Sequence, residues 1–152
     1  MENQQLQKWA LIAEIVGGVA VVVTLMLLVI EVNQNTETLK AATYDSLVAD
    51  LGEWRLGNAR NDSIASVLSK SWEEMTPEEQ KRQRDVIVSL FFILERAFIQ
   101  WDAGNLEERD WERFRRSICG PNEFNFEQRY GYLIDQFTIA RFREFRKDQC
   151  AN

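Results

Sequence analysis

The feature that most restricts how this chain can fold is an apolar segment near the N-terminus, from Trp9 to Ile30. Its 22 residues include one ionisable side chain, that of Glu14, and one hydroxyl group, that of Thr24. A helix rises about 1.5 Å per residue and needs about 20 apolar residues to cross the hydrocarbon core of a bilayer. Trp9 stands where an interfacial aromatic residue is expected. The segment therefore predicts a single-pass transmembrane helix over residues 9–30, preceded by a short tail of residues 1–8.

A cleaved signal peptide is the main alternative interpretation of this segment. Its basic region would be weak, its apolar core is too long, and no A-x-A cleavage site follows, so we expect a retained anchor. The flanks differ little in basic residues, with Lys8 on one side and Lys40 on the other, so orientation is weakly determined. We expect the C-terminal domain to be cytoplasmic, because the two cysteines have no evident pairing and basic residues follow further along.

The helical pattern continues past Ile30 to about Leu56 without a helix-breaking residue other than the Gly17-Gly18 pair, which transmembrane helices tolerate. Residues 31–56 are therefore expected to form a juxtamembrane continuation of the same helix. Steps of three and four residues from Glu14 follow one face at a 3.5-residue period, and most positions there are small or polar. We call this face the polar seam. With the adjacent Gly18 it comprises Glu14, Gly17, Gly18, Val21, Thr24, Leu28, Glu31 and Asn35, and it continues through Thr38, Ala42, Asp45, Ala49 and Gly52.

The polar seam predicts an assembly surface. A carboxylate in hydrocarbon is costly and must meet water, a partner or protein, and glycines permit close helix approach. Self-association with the seam inward meets both requirements. Alternatively, Glu14 reaches the nearby interface or is protonated, and the later part of the seam is a solvated helix face. A third possibility is an ion-conducting path lined by Glu14, Thr24 and Glu31.

The rest of the chain, residues 57–152, predicts helices only, and hence a compact bundle of the all-α class. The segment Thr76-Pro77-Glu78-Glu79 predicts a helix start with a capping box, and Gly104 predicts its end. The apolar stripe of this helix is wide enough for a central core helix; it consists of Val86, Ile87, Leu90, Phe91, Leu94, Phe98 and Trp101.

Shorter helices are predicted on either side of this core helix. One follows a cap at Asp62 or Ser63, and another covers about Leu106–Ile118 and ends at Gly120-Pro121. A final helical stretch runs from Phe124 to about Lys147, with a second piece capped by Thr138. Five helices in residues 57–152 are thus expected to share a core rich in Trp and Phe. The apolar stripe of the juxtamembrane helix is expected to pack against them; it consists of Tyr44, Leu47, Val48, Leu51 and Trp54.

Several function classes find no support in the sequence. The chain has no histidine, no glycine-rich phosphate loop and no nucleophile elbow, so we expect no catalytic, cofactor-binding or metal-binding residue. Glu95 and Arg96 are interpreted as ion-pair partners. Cys119 and Cys150 are interpreted as idle thiols, although a disulfide is possible if the domain faces an oxidising compartment.

Charge also bears on the choice of partner. A net charge of −6 disfavours nucleic acid, because backbone phosphates require a basic surface. The Arg141–Lys147 segment, RFREFRK, is interpreted as a terminal helix with aromatic residues inward and charges outward. Binding of this segment to an anionic membrane surface is a second possibility, and binding to nucleic acid a weaker third.

The opening WALIAEIVGGVAVVVTL and the following EVNQNTETLKAATY resemble a widespread family of small uncharacterised bacterial membrane proteins. In that family a W-A-x-I-A-E-type anchor leads into an N-T-x-x-x-(K/R)-A-A-T-Y-like helix. The TPEE helix start and the segment WDAGNLEERDWERFRR also fit its pattern. The resemblance implies a bacterial inner-membrane protein with one N-terminal transmembrane helix and a helical C-terminal domain. It implies no activity or cofactor.

Together these features predict a non-enzymatic, membrane-anchored interaction or accessory protein that self-associates through the polar seam. The expected partners are the lipid bilayer and further copies of the chain, with a protein at the membrane as an additional candidate. The alternative function is a homo-oligomeric ion channel or pore with Glu14 and Glu31 lining the path.

Overall fold

The structure is a computed structural model that describes residues 2–119 and 126–150, with the side chains of residues 7–119 and 129–150. Within these ranges the chain is helical and contains no β-strand, which confirms the all-α class. The six helices are α1 (Glu2–Arg60), α2 (Asp62–Leu68), α3 (Pro77–Asp102), α4 (Glu108–Arg115), α5 (Phe126–Phe137) and α6 (Ala140–Cys150), with a short 3₁₀ turn at Trp72–Glu74. The predicted Gly120-Pro121 helix stop and Phe124 lie outside the described residues.

The first helix confirms the expectation of one continuous helix through and beyond the apolar segment. It spans 59 residues, and no interruption occurs at Gly17-Gly18 or at Ile30. Its most apolar 18-residue window has a mean hydropathy of 2.7, and none of that window is buried. By length and composition this helix is able to cross a membrane.

The chain divides into two compact units, Met1–Leu39 and Lys40–Asn152, which we call the N-terminal unit and the helical unit. In the N-terminal unit every described side chain, from residue 7 to residue 39, is exposed. In the helical unit, by contrast, Leu47 and Leu51 of α1 are buried, and Tyr44, Val48 and Trp54 are partly buried against them. The predicted apolar stripe of the juxtamembrane helix therefore does pack into a core.

The start of α3 follows from its sequence as predicted. Thr76 is the N-cap, Pro77 occupies the first turn, and the Thr76 and Glu79 side chains form a reciprocal capping box. The helix ends at Asp102, and Gly104 adopts a φ of 77°, a left-handed conformation that glycine adopts at little cost. Both boundaries of the central helix are thus confirmed.

The capping box makes the stability of the α3 start depend on pH. The Lys70 ammonium lies 2.5 Å from the Glu79 carboxylate, and the amide and hydroxyl of Thr76 donate to it as well. These hydrogen bonds, with that from Lys70 the largest, lower the pKa of Glu79 from 4.5 to about 2. Because the folded pKa is depressed, the ionised carboxylate stabilises the fold above about pH 4.5, and this contribution is lost as the pH falls from there towards about 2.

We predict that Glu79→Gln lowers the stability of the full chain at pH 6 and has less effect at pH 3. Urea unfolding followed by tryptophan fluorescence at the two pH values measures this difference. Glu78→Gln is the matched control, because the Glu78 side chain is 84% exposed and reaches only Arg82, at 3.5 Å. Equal effects of the two substitutions at pH 6 would contradict the prediction.

The core of the helical unit is built from aromatic and aliphatic side chains of all the longer helices. Phe98 lies at its centre, with ring centroids 5.5 Å from Phe142, 5.0 Å from Phe145 and 6.2 Å from Trp111. The Trp101 and Trp111 rings stack at 5.2 Å. The fully or nearly fully buried side chains of this core include Leu47, Phe91, Leu94, Phe98, Trp111, Phe114, Ile118, Tyr130, Ile134 and Phe142.

Several helix boundaries differ from the expectations, among them those of α4, which covers Glu108–Arg115 and not about Leu106–Ile118. Asn61, and not Asp62 or Ser63, caps α2, since its side-chain oxygen accepts from the amides of Ser63 and Ile64. This helix ends at Leu68, whose side chain is 41% exposed. The hydroxyl of Thr138 donates to the carbonyl of Ile134 at 2.6 Å, so it closes α5 and does not cap α6.

Candidate functional site

The polar seam is the candidate site, and its predicted members all lie within the unbroken α1 helix. Each of its residues from Glu14 to Asn35 is exposed. A Cβ atom added at Gly17 or at Gly18 would meet no other atom within 4 Å, so the backbone there is open to close approach. The geometry thus leaves the glycine part of the seam accessible to another helix.

The hydroxyl groups near the seam are already satisfied by the helix itself. Thr24 donates to the carbonyl of Ala20 at 2.9 Å, and Thr36 and Thr38 bond their own helix backbone in the same way. A threonine bonded to its own helix backbone carries little penalty in an apolar environment. Thr24 therefore does not by itself require a polar partner, which weakens the interpretation of this residue as part of a pore lining.

Glu14 differs from Thr24 because no neighbouring side chain can satisfy it. The residues one turn away are Ala10, Leu11, Gly17 and Gly18, none of which carries a polar side-chain group. Its carboxyl group must therefore find water, a headgroup or another chain. Among the members of the polar seam within the apolar segment, Glu14 is the one with an unmet chemical requirement.

Glu31 and Asn35 lie at the other end of the apolar segment. Glu31 is 17 positions after Glu14, which corresponds to about 25 Å along a helix. Two acidic positions of the polar seam thus flank the uncharged residues 15–30, which extend for about 24 Å along the helix.

The continuation of the seam in the helical unit is also on an exposed face. Ala42, Asp45 and Ala49 are exposed, whereas Leu47 and Leu51 on the other side of α1 are buried. In the helical unit, therefore, the polar seam and the apolar stripe lie on different sides of α1, as the sequence pattern predicts.

Several charged residues that the sequence singled out prove to be structural. Arg96 pairs with Asp50 and donates to the hydroxyl of Ser46 at 2.8 Å, which confirms it as an ion-pair partner. Glu95 instead accepts from the backbone amide of Ile139, just before α6. Its interpretation as an ion-pair partner is wrong, because its side chain lies at the junction between α5 and α6.

The acidic residues around α4 are engaged in the same manner. Glu108 accepts from the indole nitrogen of Trp101 at 2.7 Å, Asp102 pairs with Arg141, and Glu112 lies 2.8 Å from Arg115. In the part of the chain that the structure describes, no group of three or more acidic or cysteine side chains is arranged to hold a metal ion.

A shallow groove of about 370 Å³ lies between α3 and α5. Its hydroxyl group, on Ser89, donates to the carbonyl of Val86 at 2.8 Å and accepts from the indole of Trp54 at 3.0 Å. The groove is lined by Arg84, Asp85, Val88, Ser89, Phe92, Leu133 and Phe137. Because the hydroxyl is committed to structural hydrogen bonds, this arrangement is not that of an activated nucleophile.

The terminal helix α6 follows the predicted pattern with one exception. Phe142 is fully buried and Phe145 packs against the core, as expected for an inward aromatic stripe. Arg146, however, is only 2% exposed, with its Nε donating to the carbonyl of Ile118 and its guanidinium over the Phe91 ring. One of the charges expected to face outward is thus part of the core.

The interpretation of the two cysteines as idle thiols is wrong. Cys119 and Cys150 form a disulfide, with their Cα atoms 5.4 Å apart. This bond removes one of the two observations from which a cytoplasmic helical domain was expected. The possibility was visible in the sequence as an even number of cysteines, but their proximity was not.

Comparison of the chain with models of known protein families, with curated proteins and with solved structures found no significant match.

Proposed function

We propose that this chain is a non-enzymatic, membrane-anchored interaction or accessory protein, held in a bilayer by residues 9–30 of α1. The observation that carries the proposal is that every apolar side chain in this stretch is exposed. In water such a surface would be strongly unfavourable, since each buried Å² of apolar area stabilises by about 25 cal/mol.

Lipid is the occupant that this surface fits. The 22 residues extend for about 33 Å, close to the roughly 30 Å of a hydrocarbon core. The helix satisfies its own backbone hydrogen bonds, as a segment in lipid must. On the side of the helix away from Gly17, bulky residues such as Val22, Met26 and Val29 form an apolar surface suited to acyl chains. The sequence resemblance supports placement in a bacterial inner membrane.

The polar seam is proposed as the surface through which copies of the chain associate. Gly17 and Gly18 allow close helix approach, and an interhelical environment would meet the requirement of the Glu14 carboxyl group. Because a 3.5-residue period drifts about 20° per heptad on a straight helix, copies packed along the seam would coil left-handedly. The helical unit, residues 40–152, would then be presented in several copies, with a protein at the membrane as a possible further partner.

We predict that Gly17→Leu reduces the oligomer of the full chain in detergent to monomer, because the added side chain separates the helices. Mass photometry or blue-native electrophoresis measures the change. The matched control is Val19→Leu, which places a leucine about 160° around the same helix from Gly17 and is expected to leave the oligomer intact. A wild-type chain that is already monomeric, or equal behaviour of the two variants, would contradict self-association through the seam.

A homo-oligomeric ion channel is the alternative. The observation in its favour is the placement of Glu14 and Glu31 in the polar seam about 25 Å apart along the helix, so that an oligomer coiled along the seam would carry a carboxylate ring at each end of its path. Ion flux into liposomes, reduced by Glu14→Gln and unaffected by the matched substitution Glu53→Gln in the helical unit, would favour this alternative over an accessory role. Absence of flux from wild-type oligomers would eliminate it.

A further inference from the structure

The disulfide uses every cysteine of the chain. The sequence contains two cysteines, which are 31 positions apart, and they bond to each other. Cys119 lies just beyond α4, and Cys150 is the last residue of α6. Two cysteines at random positions in a chain of 152 residues would seldom lie within bonding distance of each other in the fold. Their pairing therefore indicates that the disulfide is part of the native structure.

Contacts other than the bond bring the two cysteines together. Beside Cys119, the carbonyl of Ile118 accepts from the Arg146 guanidinium at 3.3 Å. Beside Cys150, the amide oxygen of Gln149 accepts from Arg115 at 3.0 Å. Each contact joins the α4 end to α6, so the folded chain holds its thiols near each other before they are oxidised. A Cα separation of 5.4 Å lies within the range that a disulfide spans.

Oxidation of this pair requires an electron acceptor, and thiol oxidoreductases with an active-site disulfide are the class that supplies it. One cysteine thiolate attacks that disulfide and forms a mixed disulfide. The second thiolate then attacks the mixed disulfide, which closes the Cys119–Cys150 bond and releases the oxidoreductase as a dithiol. The two cysteines lose two electrons and two protons in total. Such acceptors act in oxidising compartments, whereas the cytoplasmic glutathione and thioredoxin systems keep thiols reduced.

We infer that the helical unit lies on the oxidising, non-cytoplasmic side of the membrane and that the N-terminal tail lies in the cytoplasm. This inference rests on the proposed membrane anchor, and it reverses the orientation expected from the sequence. The flanking charges agree with it. Lys8 directly precedes Trp9, whereas on the other side the first basic residue is Lys40, ten positions after Ile30.

The redox state of the native cysteines in cells is the first test. The full chain is expressed in a bacterium, the cells are quenched with acid, and free thiols are tagged with a polyethylene glycol maleimide. We expect no tagged thiol without a reductant and two after reduction. Two tagged thiols in the unreduced sample would overturn the inference.

The side of the membrane is tested independently with single cysteines in a Cys119→Ser/Cys150→Ser background. Ser66→Cys reports on the helical unit and Gln7→Cys on the N-terminal side, and both positions are exposed. A membrane-impermeant maleimide applied to intact cells should label Ser66→Cys, and should label Gln7→Cys only after the inner membrane is permeabilised. The opposite labelling pattern would overturn the inference.

Extraction of the same membranes with alkaline carbonate separates the two proposals. A chain that stays in the pellet with Ser66→Cys protected is anchored but oppositely oriented, so only the sidedness fails. A chain released into the supernatant would contradict the proposed membrane anchor, and the inference about its orientation would then fail as well.

Discussion

Replacing Cys119 with serine will lower the free energy of unfolding of the helical unit by about 3.7 kcal/mol, the loop-closure value for the 31 positions that separate the bonded cysteines. The bond ties the end of α4 to the last residue of α6, so the unfolded chain gains freedom throughout α5 and α6 when it is lost. For a domain of this size the expected fall in melting temperature is roughly 10–15 °C. Thermal and urea unfolding of the full chain in detergent, followed by near-ultraviolet circular dichroism, measure the two quantities.

The disulfide offers its own matched controls. Cys119→Ser, Cys150→Ser and the double variant each lack the same bond, so the three should have nearly equal stability. A reductant should destabilise the wild-type chain by a similar amount and leave the double variant unchanged. A wild-type chain insensitive to reductant would show that the bond contributes nothing to the stability of the helical unit.

Phe98→Ala will destabilise the helical unit by about 3–5 kcal/mol, the range for loss of a buried aromatic side chain. Phe98 is 4% exposed, and its ring contacts those of Trp101, Trp111, Phe142 and Phe145. Truncation leaves a cavity at the meeting point of α3, α4 and α6. Because domains of this size are stable by only about 5–15 kcal/mol, a large fraction of the stability is expected to be lost.

Phe92→Ala is the control for this substitution, since it makes the same chemical change in the same helix. Phe92 is 46% exposed, and its ring meets that of Phe137 edge-on at 6.5 Å. Its truncation should cost at most about 1 kcal/mol. Urea unfolding of both variants compares the two positions, and equal losses would mean that Phe98 does not lie at the centre of the core.

The parts of the fold that could be predicted from the sequence are those that local chemistry determines. The Thr76-Pro77-Glu78-Glu79 segment contains every group of the capping box, so the start of α3 needs no tertiary information. Helical periodicity likewise separates the buried Leu47 from the exposed Ala49 on α1.

The features that the sequence did not predict depend on contacts between distant segments. The disulfide joins the turn that follows α4 to the end of α6, and the relative placement of these helices comes from the packing of Phe145 against Trp101 and Trp111. Arg146 is buried because the carbonyl of Ile118 and the ring of Phe91 receive its guanidinium, and neither partner is evident from helical spacing. Glu95 likewise meets Ile139 only because α3 and α5 pack together.

The candidate site could be located from the sequence, because its positions follow a simple period along one helix. The structure adds which of its polar groups still lack a partner: Thr24 donates to its own helix backbone, whereas Glu14 has no polar side chain one turn away. The groups that a second copy would place against Glu14 depend on how two chains pack together, and the pattern along one helix does not determine that packing.

The most direct test of the membrane anchor is fractionation of cells that express the full chain, followed by alkaline carbonate extraction and intact-mass measurement. An anchored chain will remain in the membrane pellet with residues 9–30 still attached, and Val22→Arg combined with Met26→Arg, which places two charges in hydrocarbon, will release it. A wild-type chain found in the carbonate supernatant, or one whose mass shows that the apolar segment has been removed, would contradict the proposal.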